Sequence, residues 1–464
     1  MSFTERYTKV FKALLPAPFT IAVILTIVTF LLALFFTKPV TEGFGSYSFH
    51  LLTSWEKGLG GGAGLAFAVQ MMLMLVLGHS LALTKPIDKL LTTATSICTT
   101  TAKSAFIVTF LTIIFSLFNW GLGLIFGALF ARKIAENAKT KKLAIHYPLI
   151  GAAGYSGLMV WHGGLSGSAP LKIAEANGMS KLFENSQLQP EFLAKLPSNV
   201  PFSETVLSPM NLTISVALIL LLPLTMYLIG KRIKPTPINI DVTAPLPKKN
   251  HSIEGAEKLD YSKILGLTFG IGIVIYAVLK VFITDDKLSW SFISPNYINL
   301  LLFGLALILH SNFSQFLKSI DNAIGGAAGI LIQFPLYFGI LGLMKDSGMM
   351  TDISNFFVAH STHITHPIYT FFSAGIVNIL VPSGGGQWAV QGPIIIESSI
   401  QQGLPLGKEI MAMSYGDQLT NMLQPFWALP LLAITGLRAK DILPYTLFLM
   451  MVGTIIFITG LMLF

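Results

Sequence analysis

The chain has 464 residues, of which 53% are hydrophobic and only 11% are charged, and its formal net charge is +8 at pH 7. This composition excludes an ordinary water-soluble protein and predicts an all-α polytopic membrane protein, because several stretches exceed the roughly 18 apolar residues that cross a bilayer. The positive charge is typical of cytoplasmic loops and does not favour nucleic-acid binding. The single cysteine, Cys98, excludes an internal disulfide and cysteine-based metal sites.

Nine apolar stretches predict transmembrane helices. Their approximate limits are 19–36, 60–83, 146–171, 211–229, 263–283, 296–312, 324–344, 409–436 and 441–463. The first stretch is followed by Thr37-Lys38-Pro39 and not by the small residues of a cleavage site. It is therefore interpreted as an uncleaved span.

Two further apolar regions, at about 104–134 and 367–400, are too long for one straight span and are interrupted near their centres. An arm such as 105–117 covers about 20 Å at 1.5 Å per residue. That length falls short of a hydrocarbon core of about 30 Å. Both regions are predicted to be re-entrant hairpins that enter and leave the membrane on the same side.

The basic residues support this topology. With the N-terminus in the cytoplasm, 21 of the 30 Lys and Arg residues fall on the inner side, 8 fall outside, and Lys280 lies within a span. This bias agrees with the positive-inside rule only if both hairpins are re-entrant. The N-terminus is therefore expected in the cytoplasm.

The two halves of the chain share a weak repeat. The glycine-rich segment at 62–64, with Gln70 behind it, resembles 325–329 with Gln333; Asn119 matches Asn378, and 153–157 matches 413–417. The nearly constant offset predicts two inverted repeats with opposed hairpins. Residues 1–230 form the first repeat, 231–262 a cytoplasmic linker rich in Pro and charge, and 263–464 an extra span followed by the second repeat.

Four interruptions are expected to meet near the middle of the membrane. They are the hairpin tips at 118–121 and 381–388 and the broken spans at 154–164 and 415–421. The N-termini of half-helices favour an anion, whereas unwound carbonyls and short polar side chains suit Na⁺. The alternative is that the glycines pack helices and that the Asn and Ser side chains bridge them.

Asp417 is the only carboxylate within these interruptions, and a charge inside the membrane is by default functional. It is a candidate ligand for Na⁺ or carrier of a coupled proton, with a structural hydrogen bond as the alternative. His162 lies in the matching break and is a candidate donor to a substrate carboxylate, or a satisfied interior histidine. Glu397 ranks lower because it lies near the outer end of its hairpin.

Other motifs argue against an enzyme or a metalloprotein. His360, His363 and His366 recur every three residues, but Asp352 is their only nearby acidic partner, so no metal site is predicted. No GxSxG or HExxH motif is present. We expect no cofactor beyond a coupling cation.

Two tracts identify a resemblance to a family. Residues 378–397 and 415–427 are similar to signatures of the bacterial short-chain fatty acid transporter family, and the N-terminal pattern at 6–19 also fits. The resemblance implies uptake of short monocarboxylates such as butyrate or acetoacetate. The wider ion transporter superfamily, which includes divalent-anion/sodium symporters and aminobenzoyl-glutamate transporters, implies inverted repeats, elevator-type motion and a homodimer.

The sequence departs from the divalent-anion symporters at the hairpin tips, where their Ser-Asn-Thr signature is absent. No Arg or Lys lies in the predicted cavity, which argues against a dicarboxylate as the first choice. The alternatives that remain open are a C4-dicarboxylate or amphipathic-acid transporter and a passive anion channel.

The site residues follow from these observations. Those expected to bind the carboxylate and its acyl tail are Asn119, Trp120, Gly121, His162, Ser383, Gly384, Gly385, Gln387 and Trp388, with the two tryptophans against the tail. Those expected near a coupling cation, Na⁺ or H⁺, are Asn378, Asp417, Thr420 and Asn421.

Overall fold

A computed structural model gives the architecture of the chain. It describes residues 16–175, 177–183, 196–238, 255–283, 295–380 and 382–464. Several predictions lie partly outside the described residues. These concern the N-terminal pattern before residue 16, the centre of the 231–262 linker, Val381 at the second hairpin tip, and the basic residues Arg6, Lys9, Lys12, Lys195, Lys248, Lys249 and Lys287.

The described residues form helices joined by short turns, with no strand among them, and the predicted all-α class is confirmed. In chain order the helices are α1 (Pro18–Phe36), α2 (Phe44–Leu59), α3 (Gly62–Ala82), α4 (Lys85–Ala94), α5 (Thr101–Phe118), α6 (Trp120–Lys141), α7 (Tyr147–Tyr155), α8 (Ser168–Ala174), α9 (Gly178–Leu182), α10 (Pro209–Arg232), α11 (Glu257–Asp260), α12 (Lys263–Ile283), α13 (Pro295–His310), α14 (Phe313–Ala323), α15 (Ala328–Asp346), α16 (Met349–Ala359), α17 (His366–Leu380), α18 (Gly384–Gln402), α19 (Leu406–Thr420), α20 (Leu429–Thr435) and α21 (Ala439–Leu463).

Seven helical stretches of the described chain are long and apolar enough to cross a membrane. The helix α1 illustrates the physical basis: Pro18 presets the first turn, the following residues are almost all apolar, and most side chains point outward. Exposed Ile27, Leu31 and Phe35 would be unfavourable in water but suit lipid tails. The polytopic membrane class is thereby confirmed.

The first hairpin turns at Asn119. This residue is extended, ends α5 and caps α6, and its Oδ1 accepts the Leu122 backbone N–H at 2.9 Å. The two helices lie against each other, with the Phe115 and Phe126 ring centroids 4.3 Å apart. The α5 helix has 18 residues and is one of the seven candidate spans, so it is longer than the expected arm. Re-entrance of this hairpin therefore stays a prediction that length alone does not support.

The second hairpin folds α17 back on α18 through side-chain hydrogen bonds. Gln387 Nε2 donates to the Ala374 carbonyl at 2.8 Å, and Gln391 Nε2 donates to Ser373 Oγ at 3.1 Å. Farther from the tip, Ser398 Oγ lies 2.8 Å from a ring nitrogen of His366. These bonds fix the register of the two helices.

The first predicted helix break, at 154–164, is present, whereas the second lies later than predicted: residues 415–420 are still helical, and the break begins at Asn421. Each break is stabilised by the other. The helix α7 gives way to 3-10 turns before α8, and α19 gives way to a 3-10 turn before α20. Asn421 Nδ2 donates to the Leu158 carbonyl of the first break at 3.1 Å, and the Tyr155 hydroxyl donates to the Asn421 carbonyl of the second at 3.0 Å. Buried carbonyls released by unwinding are thus satisfied by side chains of the opposite half.

The order and packing of the elements repeat. Within each half, the first hairpin helix packs along the helix that leads into the break: α5 on α7 and α17 on α19. Across the halves, the second hairpin helix packs on the helix that follows the other break: α6 on α20 and α18 on α8. The opposite membrane orientation of the halves stays a prediction.

Four amphipathic helices, α2, α4, α14 and α16, were not predicted from the sequence as separate elements. Polar residues are interspersed with apolar ones in these helices, so their mean hydropathy is below that of a span. Residues 44–59, expected to be part of an outer loop, instead form α2, which packs along α15.

Candidate functional site

The first helix break and the last turn of α19 bring His162 and Asp417 together. His162 Nδ1 lies 2.6 Å from Asp417 Oδ2, and both side chains are buried. The backbone N–H of Ala169 donates to His162 Nε2 at 3.0 Å. A ring nitrogen that accepts a hydrogen bond carries no proton, so the ring proton is on Nδ1 and is donated to Asp417. The network therefore assigns a neutral His162 beside a carboxylate that accepts.

Gln418 and Asn211 hold the backbone around this pair. Gln418 Oε1 accepts the backbone N–H groups of His162 and Gly163, at 2.8 and 3.2 Å. Asn211 Nδ2 donates to the Gly163 carbonyl at 2.8 Å, and the Tyr415 hydroxyl donates to Asn211 Oδ1 at 2.9 Å. Sequence reasoning missed Asn211 and Gln418. Asn211 at the start of a span and Gln418 beside Asp417 were the available signals.

The four residues predicted near the coupling cation are in mutual contact. Asn378 Nδ2 is close to the Asp417 carbonyl, Thr420 Oγ1 and Asn421 Oδ1, at 2.7, 2.9 and 3.1 Å. Gln424 Nε2 donates to the Asn378 carbonyl at 3.0 Å and joins the cluster. The second hairpin is thereby tied to the second break.

Several buried oxygens at this centre lack a hydrogen-bond donor within the described chain. They include Asp417 Oδ1, Asn378 Oδ1 and Gln424 Oε1. The three acceptors around Nδ2 fix the orientation of the Asn378 amide group. Its Oδ1 is therefore the amide atom without a hydrogen-bond partner in the described chain. Oxygen ligands of this kind suit a hard cation such as Na⁺, and the carboxylate oxygen also suits a proton.

The polar residues at the hairpin tips act first as helix caps. Asn119 caps α6, and Ser383 caps α18 by accepting the Gly386 backbone N–H at 3.3 Å. Both side chains therefore have a structural role at the start of the helix that follows them. Two glycines allow the tips to approach other elements: a Cβ on Gly121 would lie 2.6 Å from Met74 Sδ, and one on Gly384 would lie 2.9 Å from the Trp161 ring.

The remaining predicted residues fall into two environments. Trp120 lies in an aromatic cluster, 6.1 Å from Trp161 and 5.2 Å from Trp427 between ring centroids. Trp161 also stacks on His162 at 4.4 Å. Trp388, by contrast, is fully buried in a separate apolar cluster with α8 and α9. The described ring contacts therefore join Trp120 to Trp161 and Trp427, and sequence reasoning missed those two partners.

Gln387 and Gly385 also differ in their surroundings. Gln387 is buried within the second hairpin, where its Nε2 bonds Ala374 and Gln391 and its Oε1 has no donor in the described chain. A Cβ on Gly385 would lie 3.4 Å from Lys172 Nζ. The helix α8 thus places the exposed Lys172 beside the start of α18.

The three-histidine motif does not form a cluster in the structure. His366 is buried against Glu409, whereas His360 is exposed and its ring lies 2.7 Å from the Phe356 carbonyl. Among the described residues no group of three or more His, Cys, Asp or Glu side chains is placed to hold a metal ion.

Comparison with known proteins supplies the family. The family model described as short chain fatty acid transporter matches residues 1–464. This chain belongs to the short-chain fatty acid transporter family. A protein of Escherichia coli strain K12, described provisionally as a short-chain fatty acid transporter, is 36% identical over 463 residues, covering 97% of this chain and 96% of that protein. A similarly described Haemophilus influenzae protein is 35% identical over 452 residues, covering 96% of both.

Membership of the short-chain fatty acid transporter family makes this protein a multi-pass membrane transporter of small molecules and not an enzyme. Two solved structures also align over nearly the whole chain. The YdaH transporter of Alcanivorax borkumensis has a TM-score of 0.44 at 15% identity, covering 97% of both chains. Neisseria gonorrhoeae MtrF, from a class of antimetabolite efflux pumps, has a TM-score of 0.46 at 14% identity, covering 98% of this chain and 97% of that chain.

Proposed function

We propose that this protein is a secondary active transporter that takes up short-chain fatty acids, such as butyrate or acetoacetate, with a coupling cation, Na⁺ or H⁺. The observation that carries the proposal is the buried Asp417 carboxylate in the last turn of α19, with one oxygen held by His162 of the first break and the other without a donor in the described chain. An unneutralised carboxylate in this position costs several kcal/mol, which a bound cation offsets. Family membership supplies the substrate class.

The substrate carboxylate would bind near the N-termini of α6 and α18. Both helices begin at a hairpin tip, where free backbone N–H groups and the helix dipole favour an anion. The tips also bring Gly121, Gly384 and Gly385, whose lack of a side chain allows close approach. The acyl tail would pack on Trp120 and its neighbour Trp161. Trp388 contributes to this wall only indirectly, because it supports α18 from its far side.

The coupling cation would bind on the other side of the break, near Asp417 and Asn378. Their unpartnered oxygens, with Thr420 and Asn421 beside them, provide the ligands. We propose that the hairpins and broken helices move together as one body against α1, α3 and α15, in an elevator-type cycle within a homodimer. The location would be the bacterial inner membrane, with the N-terminus in the cytoplasm.

One observation favours the second candidate, a C4-dicarboxylate transporter. Lys172 Nζ lies close to the start of α18, where it could pair with a second carboxylate. Lys172 is exposed, so this pairing would be weak. Competition of labelled butyrate uptake by unlabelled succinate tests this candidate; we expect weak competition in the wild type, and strong competition that Lys172→Ala removes would favour the dicarboxylate.

Radiolabelled butyrate uptake into proteoliposomes tests the proposal. Imposed Na⁺ and H⁺ gradients are compared separately for the wild type, Asp417→Asn and the control Glu397→Gln. Glu397 is a half-buried carboxylate whose Oε1 is bonded by Gln401 alone among the described residues. We expect one gradient to drive accumulation in the wild type and the control and not in Asp417→Asn.

Two results would contradict the proposal in different ways. Absence of protein-dependent butyrate uptake under either gradient would remove the substrate. Driven uptake that survives Asp417→Asn would keep the transport function and remove Asp417 as the coupling residue. Conductance without accumulation would indicate the passive channel.

A further inference from the structure

A second buried histidine–carboxylate pair lies at the open end of the second hairpin. His366 begins α17 and Glu409 lies in the first turn of α19; Nδ1 and Oε2 are 2.8 Å apart, and both side chains are buried. The Thr370 hydroxyl donates to the same Oε2 at 3.2 Å, and Glu409 Oε1 has no donor in the described chain. Glu409 is eight residues from Asp417, about 12 Å along the helix. The coupling-ion site does not use this pair.

The far nitrogen of His366 faces a group that can change its role. His366 Nε2 lies 2.8 Å from Ser398 Oγ. A hydroxyl donates to a neutral imidazole and, after rotating, accepts from an imidazolium. His366 can therefore gain a proton on Nε2 while keeping both of its hydrogen bonds. Gln402 Nε2, which donates to Ser398 Oγ at 3.3 Å, is compatible with either state.

A small cavity lies beside His366. It has a volume of about 10 Å³ and is lined by His366, Thr370 and Ser373 on the inside and by Val358 and Ser361 on the outside. That is roughly the space of one water molecule, and the lining offers several polar partners. Residues 362–364, beyond Ser361, are exposed. The cavity wall thus runs from buried His366 to half-buried Ser361, next to exposed residues.

We propose that His366, Glu409 and Ser398 form a proton-binding site, reached from the aqueous side at residues 361–364 and separate from the site at Asp417. An N–H bond forms at His366 Nε2, the proton comes from hydronium, and water is left behind. The Ser398 hydroxyl rotates to accept, and Glu409 keeps its negative charge, so the occupied site is neutral. That occupancy tunes transport with pH is a consequence that rests on the proposed function.

The surrounding ionisable groups do not compensate the pair. On the packed elements and the neighbouring loop, Asp352, His360, His363, Tyr369, Glu397, Lys408, Glu204 and Lys172 are each exposed or half-buried, and the buried Tyr415 and Asp417 lie farther along α19. In the described chain the pair bonds only to Thr370 and Ser398. The charge of the buried site is therefore set by its own proton.

A row of hydrogen bonds links the cavity to the hairpin tip. Ser373, on the cavity wall, accepts from Gln391 Nε2 at 3.1 Å, and Gln391 Oε1 accepts from Gln387 Nε2 at 2.7 Å. The Gln387 backbone N–H donates to the Ser383 carbonyl at 2.7 Å. This row gives the proton site a physical connection to the tip at which we place the substrate.

Solid-state NMR of ¹⁵N-histidine-labelled protein in liposomes tests the site directly. The ring nitrogen signals distinguish imidazole from imidazolium, and His366→Gln and His162→Gln assign the two residues by loss of signal. We expect an imidazolium signal from His366 that grows as the pH is lowered, while His162 keeps the Nδ1–H tautomer that its hydrogen bonds assign. Ser398→Ala removes the acceptor and should weaken the imidazolium signal at the acidic end. Ser399→Ala is the control, because its buried hydroxyl donates to the Ile395 carbonyl.

A neutral His366 throughout the series would overturn the proposal, and so would an unchanged titration in Ser398→Ala. The transport consequence is tested separately by the dependence of butyrate uptake on outer pH, which Ser398→Ala should flatten and Ser399→Ala should not. If the wild type carries no butyrate, the proposed function fails while the NMR result still decides the proton site.

Discussion

The His162–Asp417 and His366–Glu409 pairs both place an imidazole Nδ1 within 2.8 Å of a buried carboxylate, and in both the second carboxylate oxygen has no donor in the described chain. They differ at the far nitrogen. A backbone N–H, which can only donate, holds His162, whereas a serine hydroxyl, which can donate or accept, holds His366. Protonation would cost His162 a hydrogen bond and costs His366 none. The two histidines thus differ in whether the far nitrogen faces a group that is able to accept a hydrogen bond.

Removing the donor to Asp417 should have the largest effect. In His162→Gln the Asp417 carboxylate loses its imidazole partner. Leaving a buried charge without its partner costs roughly 3–5 kcal/mol. We expect driven butyrate uptake to fall at least about a hundredfold, since about 1.4 kcal/mol corresponds to a factor of ten. The exposed His363→Gln is the control. Uptake near the wild-type level in His162→Gln would show that the pair is only structural.

Removing the backbone donor to His162, so that its far nitrogen resembles that of His366, should have a moderate effect on the protonation of His162. Ala169→Pro deletes the N–H that holds His162 Nε2, at a first-turn position where proline is tolerated. We expect His162 to acquire an imidazolium signal at acidic pH in the same NMR series. Ser168→Pro, one residue earlier, keeps the Ala169 N–H and is the control. A His162 that stays neutral in Ala169→Pro would show that the backbone donor does not fix its charge.

The tyrosines that cross between the breaks should have smaller effects. Tyr155 donates to the second break, and Tyr415 donates to Asn211, which supports the first. Loss of either hydroxyl should lower the free energy of unfolding by about 1 kcal/mol. Tyr337→Phe is the control, because its buried hydroxyl has no partner in the described chain. Thermal unfolding in detergent gives the melting temperatures of Tyr155→Phe, Tyr415→Phe and Tyr337→Phe. Equal shifts of the melting temperature in all three variants would contradict the assigned hydrogen bonds.

The smallest effect concerns Cys98, which lies between α4 and α5. Burial raises the pKa of its thiol to about 11, although a hydrogen bond with Ser104 partly opposes this. The reactive thiolate is therefore scarce at neutral pH, and alkylation should speed up by about tenfold per pH unit below that value. A cysteine placed at Ser361 should react much faster and report access to the proton site. Fast labelling of the wild type, with Cys98→Ser as the blank, would contradict this.

Much of the architecture could be predicted, because apolar runs mark the helices and glycines and polar residues mark their interruptions. Both hairpin turns and the first break follow from apolar runs interrupted at Asn119, Ser383 and His162. The second break was placed several residues too early, because the polar run at 415–420 continues the helix α19. The amphipathic helices could not be predicted as separate elements, because their mean hydropathy is below that of a span. The length of α5 was also underestimated, since its first turn is polar.

The candidate site was predictable in composition and less so in geometry. Asp417 and Asn378 were found because polar groups are costly in the membrane, and the structure places them together. Glu409 was missed because it sits at a helix start that resembles an interface. Trp388 was placed at the substrate because it follows the tip, yet the helical turn directs it into a packed cluster. Sequence spacing does not specify the direction of a side chain.

The most direct test of the central claim is butyrate binding to purified protein as a function of cation. Coupling is reciprocal, so the coupled cation must raise butyrate affinity. Na⁺ is titrated at fixed pH, and pH is varied without Na⁺, for the wild type and Asp417→Asn. We predict that one cation raises the wild-type affinity at least about tenfold, within the usual coupling range, and leaves that of Asp417→Asn nearly unchanged. Cation-independent binding in the wild type, or equal coupling in Asp417→Asn, would contradict the account.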